Sequence, residues 1–233
     1  MKILALDTAT EACSVSLGIG DRSIDRYLEL ERGHAEQLLP MIDAVLAEGG
    51  IALGSLDAIA FGRGPGGFTG VRLAASVAQG LAFGADLRVV PISDLAAVAQ
   101  RVRQLDPRVT RILAVNDARM REVYWAGFRL ADGVLAPHGA ERVGAAAEVA
   151  LPEGLSPGAD SMWAAAGRGL KAWPALAERC RAAGACEVFA DLLPRAAEVL
   201  ALARPLVAAG HMLDPAEALP VYVRDRVAEP AIR

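Results

Sequence analysis

Three cysteines, two lysines and 5% aromatic residues leave this 233-residue chain poor in several chemistries at once. Cys13, Cys180 and Cys186 are too scattered, and odd in number, for a disulfide framework, which predicts idle or buried thiols in a reducing compartment. There is no basic excess: 24 Lys and Arg stand against 28 Asp and Glu, a formal charge of −4. The chain alone therefore has no field for gripping nucleic-acid phosphates. Long apolar runs are missing too. The longest uncharged stretch, Leu73 to Ala85, has 13 residues, and a bilayer span needs about 20. Asp7 and Glu11 break the apolar start where a secretory signal needs an uncharged run. The expectation is a soluble, cytoplasmic protein with no membrane partner. His34, His138 and His211 have no metal-ligand spacing with one another or with the cysteines, so no metal site is expected.

With 54% hydrophobic and 22% charged residues, the chain has the makings of an ordinary buried core. Lys2–Asp7 is an apolar run ending on an acid, and Cys13–Ile19 alternates at period two, predicting a half-buried strand. Alternation resumes over Ile24–Leu30, so the first three strands form an antiparallel meander. Leu38, Leu39, Met41, Ile42, Val45 and Leu46 recur at helical spacing and stop at Gly49-Gly50. Pro40 predicts that this helix starts near Leu39 or bends there. A short strand at Asp57–Phe61, a helix over about Phe68–Phe83, a strand at Val89–Ile92 and a helix capped by Ser93 follow. The order is β-β-β-α-β-α-β-α. Around Asp106-Pro107 the pattern restarts, with a strand at Arg111–Asn116, another at Val123–Leu130 and a hairpin signal at Asp132-Gly133. This predicts a duplicated architecture with a shortened second copy. Residues 143–186 read as irregular, Leu193–Ala209 as helical and Pro220–Arg224 as extended.

The stretch Gly62-Arg-Gly-Pro-Gly-Gly-Phe-Thr-Gly-Val-Arg72 contains G-x-G-x-x-G between a strand and a helix. Three readings stay open: a dinucleotide fingerprint, a tight turn for close helix packing, and a loop facing a ligand or partner. No Gly-Lys-Ser/Thr follows, which excludes a P-loop, and no nucleophile elbow is present. Gly70, Ala74, Ala75, Ala78 and Ala82 give the following helix a small-residue side, while Val71, Leu73, Val77 and Leu81 cover its other faces. A helix apolar all round is buried all round, which predicts cover from outside the chain. Asp7, beside Thr8 and Thr10, is either the best candidate for polar chemistry or a turn-capping acid.

The blocks Met1–Leu17, His34–Ile42, Gly62–Arg72, Asn116–Trp125, Gly167–Pro174 and Pro220–Arg224 resemble, in order, the TsaB (formerly YeaZ) family of tRNA threonylcarbamoyladenosine biosynthesis. The resemblance implies an α/β fold of two ASKHA (RNase H-like) domains with mixed sheets. Residues 1–105 with about 194–212 would form the first, and 106–193 with 213–233 the second, degenerate one. It implies kinship to the metal-binding catalytic paralogue TsaD, whose paired histidine positions fall here on Asp94 and Val98. The phosphate turn becomes Asp7-Thr8-Ala9-Thr10, leaving Asp7, Thr8 and Thr10 as a residual phosphate loop. The second glycine pair becomes Asp117-Ala118-Arg119-Met120.

The resemblance thus implies a non-catalytic partner of TsaD in forming N6-threonylcarbamoyladenosine at A37 of tRNAs reading ANN codons. No cofactor is expected for the chain alone, ATP and metal belonging to TsaD and the ATPase TsaE. Partners would be TsaD and TsaE, a second copy of itself, and tRNA only through the complex. The implied interface lies on two helices, at His34, Leu38, Met41, Ile42, Val45, Gly70, Leu73, Ala74, Val77 and Leu81. The alternative is a stand-alone glycoprotease-like (M22) or nucleotide-using ASKHA enzyme.

Overall fold

The computed structural model describes residues 1–131, 133–152 and 162–223. The chain opens with β1 (Lys2–Asp7), β2 (Ala12–Ile19), β3 (Arg22–Glu29) and α1 (His34–Gly49). It continues through β4 (Ala58–Gly62), α2 (Phe68–Ala85), β5 (Arg88–Ile92) and α3 (Asp94–Leu105). The second half runs β6 (Val109–Arg119), β7 (Glu122–Ala131), β8 (Val134–Ala145), β9 (Met162–Ala166), α4 (Arg168–Ala172), α5 (Pro174–Ala182) and β10 (Glu187–Phe189). Helix α6 (Ala196–Ala208) and an extended segment complete it.

The two sheets have one topology. The first is ordered β3-β2-β1-β4-β5 and the second, read from the equivalent edge, β8-β7-β6-β9-β10. In each, the first three strands pair antiparallel, and the other two add in parallel. The chain is therefore a duplicated α/β fold with mixed sheets. The second copy is shorter: where α1 follows β3, only a 3-10 turn at Ala146–Glu148 follows β8.

Side-chain alternation directs the layers. Leu4 and Leu6 of β1 face α1 and α2, packing with Leu38, Ile42, Val45, Ala74 and Ala78. Ile3 and Ala5 face the other way, onto Val199, Leu200 and Ala203 of α6. Helix α3 lays Leu95, Val98 and Val102 on Ile112, Ala114 and Phe128 of the second sheet, whose far face receives Leu170 of α4 and Leu176 of α5. The contacting pair α3 and α6 thus lies between the sheets.

Several elements depart from expectation. The period-two pattern of β2 predicts a half-buried strand, but Ala12–Leu17 is buried on both faces. Its polar positions meet protein: Ser14 Oγ accepts from the Ala196 N–H at 2.9 Å, and Ser16 donates to Asp25 at 2.5 Å. Pro40 neither starts nor ends α1, which begins at His34. The carbonyl it leaves unpaired, that of Glu36, belongs to an exposed residue, so water can satisfy it. Between 143 and 186, read as irregular, lie the end of β8, β9, α4 and α5. Trp163-Ala-Ala-Ala166 carries little strand propensity and is made a strand by pairing with Arg111–Ala114. Arg224, expected to be extended, lies outside the described residues, as does Asp132 of the predicted hairpin signal.

Candidate functional site

A cleft of about 730 Å³ opens between the two halves. Its first wall is the β1–β2 turn, the glycine-rich loop and the starts of α1 and α2; its second is Asn116–Arg119 with Arg168 and Lys171.

The glycine-rich loop is shaped by close backbone approach within the chain. A Cβ on Gly66 would overlap the Ala9 carbonyl and one on Gly70 the Thr8 carbonyl, while Gly67 N–H donates to Ala9 O at 2.7 Å. The start of α2 is thereby laid on the β1–β2 turn, the close-packing reading of the three. The second copy repeats the device, where Gly167 (φ 113°) and Gly169 close on Val115 and Asn116.

Beneath the turn, Asp7 and Asp94 are wholly buried. Asp7 Oδ1 accepts from Ala9 N–H at 2.8 Å, and Asp94 Oδ2 accepts from Gly64 N–H at 2.5 Å. The remaining oxygens, Asp7 Oδ2 and Asp94 Oδ1, have no other partner and both lie against Gly62, where a Cβ would stand 2.8 and 2.7 Å from them. Two adjacent carboxylates cannot both ionise out of water, so the pair holds one proton. Burial, and then the neighbouring Asp7 charge, push Asp94 well above the usual carboxylate range. Burial raises Asp7 as well, opposed by the hydrogen bond from Asp94. This pair ties β1, the glycine-rich loop and α3 together. Periodicity gives no hint of it, because β1 and α3 stand 87 positions apart at these residues (94 − 7).

The residual phosphate loop has its side chains engaged. Asp7 is held as above, Thr8 Oγ1 donates to Gly70 O at 2.7 Å, and Thr10 Oγ1 accepts from Ala12 N–H at 3.2 Å. The two positions equivalent to the TsaD histidines by resemblance are both buried, Asp94 in the carboxyl pair and Val98 in the core of the second sheet. Among the described residues no three of His, Cys, Asp and Glu gather as a metal-binding group. The turn equivalent to β1–β2 in the second copy is strained: Arg119, Met120 and Arg121 all have positive φ, at 59°, 50° and 63°.

The two helices expected to form an interface need a correction. Leu38, Met41, Ile42, Val45 and Ala74 are buried in the chain's own core, because the apolar breadth of α1 and α2 wraps toward the sheet. His34, through Nε2 at 2.9 Å from Thr10 O, and Gly70 serve the β1–β2 turn. Leu73, Val77 and Leu81 are half-buried, packed on the core from its rim. The apolar groups fully presented to solvent were not singled out: Leu39, Phe68 and Phe83, 49%, 59% and 59% exposed. Gly80 and Gly84 join them on the outer side of α2, where an added Cβ would meet nothing within 4 Å.

Twin mixed sheets of the order described, each with its second strand turn under a glycine-rich loop and a cleft between, define a two-domain α/β protein of the ASKHA type. A family model described as TsaD, tRNA N6-adenosine threonylcarbamoyltransferase, matches residues 28–231. The Escherichia coli (strain K12) protein named tRNA threonylcarbamoyladenosine biosynthesis protein TsaB is 40% identical, over 98% of this chain and 96% of its own length. A Haemophilus influenzae protein of the same name is 52% identical over 54% of this chain and 53% of its own. The solved structure of YeaZ from Pseudomonas aeruginosa superposes with a TM-score of 0.83 at 43% identity, covering 95% of this chain and 99% of that one. The chain belongs to the TsaB (YeaZ) family. No helix among the described residues is long and apolar enough to cross a membrane.

Proposed function

We propose that this protein is a non-catalytic, cytoplasmic partner subunit in the synthesis of N6-threonylcarbamoyladenosine at A37 of tRNA, holding a TsaD-type transferase in a working complex with a TsaE-type ATPase. Family membership supports the pathway. The observation that carries the partner role is the outer side of α1 and α2. Leu39 and Phe83 stand exposed there, Leu73, Val77 and Leu81 line the rim, and Gly80 and Gly84 face open space. A helix-interior glycine costs about 1 kcal/mol relative to alanine, and nothing in the chain's own packing requires one at 80 or 84. Glycines there make sense as a seat for a second backbone. A stable interface buries on the order of 1,600 Å², which two helices from each side can supply. The same face would serve a second copy of the chain when TsaD is absent. We read residues 1–105 with about 194–212 as the unit that presents it.

Support for the non-catalytic reading comes from the engaged side chains of Asp7, Thr8 and Thr10 and from the burial of Asp94 and Val98. ATP, metal and tRNA binding are then functions of the assembled complex. The test is to mix the purified chain with a TsaD-family protein and follow association by sedimentation. Leu73→Glu or Val77→Glu is expected to prevent complex formation while leaving the fold intact, since both side chains sit at the core's edge. Full association of either variant would remove α1–α2 as the interface. ATP turnover by the isolated chain that disappears in Asp7→Ala would overturn the non-catalytic reading.

A further inference from the structure

A second surface stands where α2 begins. Phe68, the first residue of the helix, is 59% exposed, and its ring contributes nothing to the core. One turn on, Arg72 lays its guanidinium over that ring, 3.2 Å from the centroid, and its other side is 4.8 Å from the centroid of Tyr222. Tyr222 is itself 50% exposed. It is held there because the C-terminal segment is strapped along α2. Leu213 bridges Val89, Gln79 Nε2 donates to Pro215 O at 2.9 Å, and Val221 N–H donates to Arg63 O at 2.8 Å. The apolar side chains of Leu219 and Val221 extend the patch.

The guanidinium at its centre is half-buried, and its hydrogen bond goes to the Phe68 carbonyl at 2.9 Å. Among the described residues it makes no ion pair with a carboxylate. A flat cation clamped between two rings has little rotamer freedom left to lose, and its remaining N–H groups form a fork suited to a carboxylate. Exposed aromatics around a fixed arginine, with apolar neighbours, are the composition of an interface centre. Charge complementarity asks for an acid from outside. The apolar surroundings ask for a greasy side chain next to it. A nucleic-acid surface would need several unpaired cations to neutralise phosphates, and this patch has one on a chain of net charge −4.

We propose that Phe68, Arg72 and Tyr222 form a docking point for a protein segment presenting an aspartate or glutamate beside an apolar side chain. The inference goes beyond the α1–α2 reading, since a separate set of residues carries it. The experiment titrates the full chain with TsaD- and TsaE-family proteins from the same genome, singly and together, measuring Kd for wild type, Arg72→Ala, Arg72→Lys and Tyr222→Ala. Unfolding midpoints are recorded for each. One partner is expected to bind about 30-fold more weakly to Arg72→Ala, as for a hot-spot residue. Arg72→Lys should restore little, because an ammonium lacks the fork. Tyr222→Ala, which leaves α2 untouched, should weaken the same partner. Should Arg72→Ala and Tyr222→Ala hold every Kd within twofold of wild type, the docking point is wrong. It is equally wrong if a mixed-sequence oligoribonucleotide, and no protein, loses binding in those variants. Leu73→Glu, run alongside, separates the two ideas: its failure to act counts against the α1–α2 face alone.

Discussion

Replacing Asp94 probes the buried carboxyl pair directly. In Asp94→Ala the Gly64 N–H loses its acceptor and Asp7 Oδ2 loses the shared proton, all at positions closed to water. Breaking a buried pair in this way costs about 3–5 kcal/mol. For a chain of this length that lowers the unfolding midpoint by roughly 10 °C. Asp94→Asn is different in kind. Its amide oxygen can accept from Gly64, and its NH2 can donate permanently to Asp7 Oδ2, replacing the protonated carboxyl. It should stay within about 1 kcal/mol of wild type. The pH dependence separates the variants further. A carboxyl whose folded pKa is raised binds its proton more tightly in the folded state. The stability it brings is complete below the unfolded value of about 4 and is lost as pH rises through the folded value. Urea unfolding between pH 5 and 9 should show wild-type stability falling with pH, on a slope that Asp94→Asn flattens. If Asp94→Asn is as unstable as Asp94→Ala, or if wild type and Asp94→Asn have the same pH profile, the shared proton is refuted.

Other substitutions test other joints. Gly70→Ala drives a methyl into the Thr8 carbonyl and should destabilise the chain by about 1–3 kcal/mol, read by thermal unfolding, with Gly80→Ala as the matched control. Gly80→Ala itself should raise the midpoint of the isolated chain by about 1 kcal/mol of stability while weakening association through α1–α2 in sedimentation. At the β6–β7 turn, Met120→Asn with Arg121→Gly puts residues suited to positive φ where strained ones stand, and should add about 1 kcal/mol in urea unfolding.

The sequence by itself determined the local elements whose causes are local. The alternation of Ile24–Leu30, the Ser93 cap on α3, whose Oγ accepts from Ala96 N–H, and the stop of α1 at Gly50 in a left-handed conformation are all written within a few residues. The restart at Asp106-Pro107 likewise announced a second copy, and the ordered motifs carried the family. Tertiary structure alone decided which apolar side chains are spare. Leu38, Ile42 and Val45 look no different in sequence from Leu39, yet three face the sheet and one faces water. Helical periodicity counts greasy residues around an axis but cannot say how wide an arc the neighbouring sheet will cover. Only folding made β9 from an alanine run, by giving it β6 as a neighbour. Only folding brought Asp7 against Asp94 and Arg72 between Phe68 and Tyr222, because such meetings depend on how distant segments cross.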